Sequence, residues 1–90
     1  MLFMSIVTWE PEKRDEVIKR FKEKGAMTLP GRKVIGTWNA IGGNRVFRLV
    51  EIEDPKALVA AAVAWSDLVK IEEIPVIETE EMMKLLASMQ

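Results

Sequence analysis

An α+β fold is predicted by three observations. Strand-like and helix-like segments follow one another in the order β-α-β-β-α-β, with a short helical tail. The two middle strands, "RKVIGTWNA" and "NRVFRLVEI", flank a Gly42-Gly43 pair and read as a hairpin. Both main helical segments open on a proline, Pro11 and Pro55, where a missing N–H costs nothing. That order is the split βαβ of the ferredoxin-like sandwich, in which two helices cover one face of a four-stranded sheet. Ninety residues suffice for one such domain, spanning 1–90.

Residues 2–9, "LFMSIVTW", are apolar on both parities, which predicts a central strand. Val17, Ile18 and Phe21 make a narrow apolar stripe on the charged first helix, and Gly25 is placed as its C-terminal cap. "MTLPGR" (27–32) reads as a turn. In the hairpin, a two-residue Gly42-Gly43 loop sets Trp38 opposite Phe47, Thr37 opposite Arg48 and Val34 opposite Glu51. One face then carries Val34, Gly36, Trp38, Phe47 and Leu49, with Arg45 and Glu51 towards its ends. The other carries Ile35, Val46, Val50 and Ile52 among Thr37, Asn39 and Arg48.

Asp54 and Pro55 open the second helix, which is apolar nearly all round to Trp65 and is expected to be deeply buried. "VKIEEIPVIE" (69–78) is a fourth strand, and Pro75 marks part of it as edge or bulge. Thr79 is the expected cap of a tail helix with Met82, Leu85, Leu86 and Met89 on one side.

Both faces of the hairpin are substantially apolar, and a sheet open to water on one side should not be. With the Trp38–Phe47 face beneath the helices, the Arg48 face needs a second cover. A homodimer through that sheet face, forming a dimeric α/β barrel, is the simplest solution. Burying even ~500 Å² of apolar surface per subunit is worth about 12 kcal/mol before association costs.

Composition excludes more functions than it suggests. The net charge is −1, and acids interleave with bases in "EPEKRDEVIKRFKEKG", which argues against a nucleic-acid partner. With no Cys and no His, disulfides, the usual zinc sites, thiolate nucleophiles, Ser-His triads and a His-ligated haem are ruled out, so no metal or cofactor is expected. The longest apolar run, "ALVAAAVAW", is too short to span a bilayer. "MLFMSIVTWE" lacks the features of a signal peptide, so the expected location is cytoplasmic. Abundant Glu and Lys with no Cys hint at a thermophilic source.

The remaining candidates for chemistry are charged and aromatic. "AIGGN" lacks the strand-loop-helix context and the Lys-Ser or Lys-Thr of a phosphate loop. Arg48 is either a clamp for an anionic small molecule or half of an inter-subunit ion pair with Glu72 or Glu73. Glu51 is a candidate general base and Glu72 a second; Glu72 and Glu73 point to opposite faces and are not an acid/base pair. Arg45, Asp67 and the aromatic pair Trp38 and Trp65 complete the candidate ligand-binding set, each with packing or ion pairing as the alternative.

"LFMSIVTW", "FKEKG" (21–25), "PGRKVIGTW" (30–38), "RVFRLVEIED" (45–54) and "WSDLVKIEEIPVI" (65–77) together resemble an uncharacterised family of short proteins. That family is a domain of unknown function related to the dimeric α/β-barrel superfamily, and the resemblance covers about residues 2 to 80. It implies the ferredoxin-like fold and a barrel dimer, but no reaction. Better-known relatives of the barrel include monooxygenases, muconolactone-type isomerases and haem enzymes, whose histidines have no counterpart here. The expected function is thus a small-molecule-binding or structural module. The alternatives are a cofactor-independent isomerase- or monooxygenase-like enzyme on a small organic acid or aromatic, and a metabolite-sensing regulatory module.

Overall fold

The computed structural model describes residues 1–24 and 30–90. The elements are β1 (Leu2–Thr8), α1 (Arg14–Lys24), β2 (Arg32–Asn39), β3 (Arg45–Ile52), α2 (Lys56–Trp65), β4 (Lys70–Pro75) and α3 (Thr79–Ser88). The strands make one sheet in the order β2-β3-β1-β4, with every neighbouring pair antiparallel. This is the ferredoxin-like arrangement. The apolar β1 is central, and the Pro75-containing β4 is an edge strand, as its missing donor requires.

A 3₁₀ turn at Pro11–Lys13 runs straight into α1. Asp15 and Glu16 sit in the first turn of α1 and Lys22 and Lys24 in its last, each sign matching the helix dipole. The cap expected at Gly25 and positions 27–29 of the expected turn lie outside the described residues. Pro30 and Gly31 do form a turn, with Gly31 at φ 81°. At α2, Asp54 Oδ1 accepts the Lys56 backbone N–H at 3.0 Å, so Asp54 caps the helix as expected. Thr79 does not cap α3. It is the first helical residue, after Glu78, and no side chain bonds that end.

The hairpin keeps the predicted pairing of Trp38 with Phe47 and Thr37 with Arg48, but two details differ. First, five residues, 40–44, separate the two strands. Ala40 N–H bonds Arg45 O and Gly43 N–H bonds Ala40 O, both at 2.9 Å. Positive φ falls on Gly43 (86°) and Asn44 (64°), not on both glycines. Second, a bulge between Val34 and Gly36 shifts the register, so Lys33, not Val34, opposes Glu51 and Val34 opposes Val50. The Trp38 indole folds over Gly36, where a Cβ would lie 2.7 Å from Trp38 Cη2.

The two sheet faces are inverted relative to expectation. Val17 of α1 packs with Val7, Val46, Leu68 and Val69 into the core, flanked by Trp9, Trp65 and Ile71. Val7, Val46 and Ile71 are direct cross-strand neighbours, so the helices cover the face that also carries Arg48. Trp38, Phe47, Leu49, Arg45 and Glu51 lie on the uncovered face with Leu2, Met4 and Ile6. Both parities of these strands are apolar, so alternation alone does not choose the covered one. The choice follows from crossover handedness combined with the register of β1, which neither hairpin strand encodes by itself.

The second helix is less buried than its composition suggests. Ala57 and Ala61 are buried, but Val59 and Val63 are 63% and 75% exposed. One sheet supplies one contact stripe, and the outer side of the helix meets no further layer. Every residue of α3 is exposed. The radius of gyration is 15.2 Å, against about 12 Å for a compact domain of this length. Among the described residues no helix is long and apolar enough to cross a membrane.

Candidate functional site

Between the sheet and α1 lies a cavity of about 560 Å³, within the range of small-molecule sites, roughly 300–1,000 Å³. Its roof explains an oddity of α1. Ile18 and Phe21 are 43% and 46% exposed, yet they face this cavity beside the buried Val17. Trp9 and Trp65 wall it, and Val7, Val46, Val69 and Ile71 supply apolar floor and sides.

The floor carries one polar stripe. Glu73 on β4 pairs with Ser5 on β1, Ser5 pairs with Arg48 on β3, and Arg48 pairs with Thr37 on β2. Directly opposed residues share a face, so these four side chains form a continuous row across all four strands, and each lines the cavity. The next row along the strands towards the hairpin loop is Asn39, Val46, Val7 and Ile71; in the other direction lie Val34, Val50, Phe3 and Pro75. A polar row between two largely apolar ones is costly unless its groups find partners.

Their partners are incomplete. Ser5, only 2% exposed, donates its hydroxyl to Glu73 Oε1 at 3.1 Å. Glu73 Oε2 is buried without a hydrogen-bond partner, as is Trp9 Nε1. Burial pushes the Glu73 carboxyl above its ordinary range, while the Ser5 hydrogen bond and the charges of Arg32 and Arg48 pull it back. Burial also lowers the Arg48 guanidinium, with Arg32 adding like-charge repulsion and Glu73 opposing both. Among the described residues no carboxylate lies within 4.0 Å of Arg48. It is a half-buried cation facing a cavity with no counter-ion at ion-pair distance.

The charge balance of the lining is one-sided. Arg14, Lys22, Arg32 and Arg48 supply four cations against the single carboxylate of Glu73, in a chain whose net charge is −1; the Arg45 guanidinium instead lies over the Phe47 ring on the uncovered face. Low-dielectric walls focus such a field. Such a lining favours negative over positive charge within the cavity.

Of the residues singled out from the sequence, Arg48 and Trp65 line the cavity; Arg45 borders it at the hairpin end, with its guanidinium 5.7 Å from the Phe47 ring centroid on the uncovered face. Asp67 does not. It holds Arg20 through two hydrogen bonds of 2.6 and 2.7 Å, and Arg20 also reaches Ala64 O and lies over the Trp65 ring, 5.6 Å from its centroid. This clamp ties α1 to the end of α2 and steadies the Trp65 wall. The Arg20 guanidinium holds the Asp67 carboxyl down to about 2. Glu51 lies on the uncovered face and accepts from the N-terminal ammonium of Met1. Glu72 is exposed opposite Ile6 on that same face, and Trp38 stacks over Gly36 there. The opposite facing of Glu72 and Glu73 is as expected.

Sequence reasoning missed Ser5 altogether and named Glu73 only as a possible partner for Arg48 across an interface. One signal was present. Ser5 is the lone polar residue within "LFMSIV", and a polar group at the centre of a central strand needs a reason.

No curated protein and no solved structure matches this chain. A family model does, over residues 1–90. The chain with this cationic cavity beneath α1 belongs to the family described as Domain of unknown function (DUF3303).

Proposed function

We propose that the protein binds a small organic anion in the cavity between α1 and the sheet, with Arg48 pairing the anionic group and the apolar walls enclosing its body. The observation that supports this best is the lining of four cations and one carboxylate within a chain of net charge −1. Among the described residues Arg48 has no carboxylate at ion-pair distance, and binding a carboxylate supplies one through the guanidinium fork. Walls of Trp9, Trp65, Phe21 and Ile18 favour an aromatic or branched apolar body.

The same reading makes the working unit a homodimer. The uncovered sheet face carries Leu2, Met4, Ile6, Phe47, Leu49 and the half-exposed Trp38, too apolar to face water alone. A second copy, placed face to face, covers it and leaves each cavity within its own subunit.

Tryptophan fluorescence tests the anion reading, since Trp9 and Trp65 both line the cavity. Phenylacetate should bind saturably, and the uncharged phenylacetamide roughly tenfold to a hundredfold more weakly, the worth of a charge-assisted hydrogen bond. Arg48→Leu should erase that preference. Equal binding of acid and amide to the native protein would refute the reading.

A further inference from the structure

The anion site contains one group that binding alone does not require. An apolar-walled cavity with four cations would hold an anion better without Glu73, whose charge repels it. Yet Glu73 is built in with care. Its Oε1 is fixed by Ser5, a residue 2% exposed, and its Oε2 has no partner. A buried polar atom without a partner calls for an explanation, and a reacting group whose partner is the substrate is one of the few available.

The spacing suits that role. Arg48 and Glu73 both lie directly opposite Ser5, on either side of it, so their backbones are two strand spacings apart, about 10 Å. Side chains converging from that separation can hold the two ends of one small molecule, an anionic head at Arg48 and a nearby carbon at Glu73. The other carboxylates considered for such work, Glu51 and Glu72, are on the opposite face of the sheet and cannot reach the cavity.

Resting on the anion-binding reading, we propose that the cavity catalyses proton transfer at the carbon next to the carbonyl of a small 2-oxo acid, with Glu73 as the base, Ser5 as its positioning residue and Arg48 as the anion clamp. Glu73 as carboxylate takes the C3 proton. The C–H electron pair becomes the C2–C3 double bond, and the carbonyl π pair moves to the C2 oxygen as an enolate. Arg48 and Arg32 stabilise the negative charge that develops there. Return of the proton from the Glu73 carboxyl to C3 regenerates substrate and carboxylate, so no oxidant, reductant or cofactor enters the balance. The upward displacement of the Glu73 carboxyl by burial makes it a stronger base once ionised.

Phenylpyruvate is the probe: an anion with an aromatic body and exchangeable C3 protons. In deuterated buffer, proton NMR follows loss of the C3 signal, while tryptophan fluorescence follows binding in the same samples. The native protein should bind phenylpyruvate and accelerate exchange above the buffer rate, with the rate rising with pH as Glu73 ionises. Glu73→Gln, which keeps an acceptor for Ser5, should bind at least as well and lose the acceleration by roughly 10²–10⁴. Binding without acceleration overturns the catalytic proposal and leaves the anion site standing. Unchanged acceleration in Glu73→Gln overturns the role of Glu73. Absence of any binding, with phenylacetate also failing to bind, sinks the anion site itself.

Discussion

Ser5 on β1 donates to Glu73 Oε1 on β4 at 3.1 Å, and this bond joins the one buried polar side chain among the described residues to a carboxyl whose second oxygen has no partner. The pair forms the β1–β4 end of the polar row that floors the cavity. Ser5→Ala leaves both Glu73 oxygens without a donor. The expected cost is about 1–2 kcal/mol, that of an unsatisfied half-buried acceptor, read from urea unfolding. It should be smaller in a Glu73→Gln background, where the group left behind is uncharged. Equal costs in the two backgrounds would mean the hydroxyl matters only for packing.

The two displaced carboxyls predict opposite pH behaviour. Asp67 is held down by Arg20 to about 2. Its stabilising contribution is therefore present above its unfolded value near 3.8 and is lost as pH falls through the folded one. Glu73 is displaced upward by burial. Its sign is reversed: the neutral form fits the fold, and stability falls as pH rises through its folded value. Thermal melts from acid to neutral pH should show Glu73→Gln more stable than the native protein at pH 7. The two should converge below about pH 4, where the carboxyl is neutral in both states. Asp67→Asn should melt lower than native at pH 7, with the gap closing towards pH 2.

Much of this was legible before the structure. The element order, the central placement of β1, the edge placement of β4 at Pro75 and the cap at Asp54 all rest on local chemistry: parity, proline and side-chain acceptors. What failed was what local chemistry does not contain. The bulge at Val34/Gly36 moved Val34 from Glu51 to Val50 because a single extra residue resets parity without a distinctive signal. Which face the helices cover is a property of the crossover, so Arg48 was placed on the wrong side of the sheet. Of the candidate site, Arg48 and Trp65 were readable as residues of interest. The row Thr37–Arg48–Ser5–Glu73 was not, since it needs the register of all four strands at once.

Gly36 offers a check on the uncovered face. Its added Cβ would meet Trp38 Cη2 at 2.7 Å, so Gly36→Ala must push the indole aside. Trp38 is 55% exposed, so shifting its indole displaces little packing and the cost is about 1 kcal/mol. Combining it with Trp38→Ala should return most of that loss. A double variant whose losses simply add would show that the indole is not what Gly36 accommodates.

The proposed homodimer makes a separate prediction. Phe47 and Leu49 stand mid-strand on the uncovered face, with Met4 and Ile6 beside them on β1. Phe47→Asp places a charge in the centre of the proposed contact. Sedimentation velocity at micromolar concentration should show the native chain as a dimer and this variant as a folded monomer. A native monomer would remove the second copy from the account while leaving the cavity beneath α1 untouched.

The central claim is that the cationic cavity holds a small organic anion at Arg48. The most direct measurement is an amide and indole NMR titration of ¹⁵N-labelled protein with phenylacetate. Saturable shifts are expected at Ser5, Arg48, Glu73 and the Trp65 indole, and should be lost in Arg48→Leu. Shifts confined to Trp38 and its neighbours on the uncovered face, or no saturation at any residue of the polar row, would contradict it.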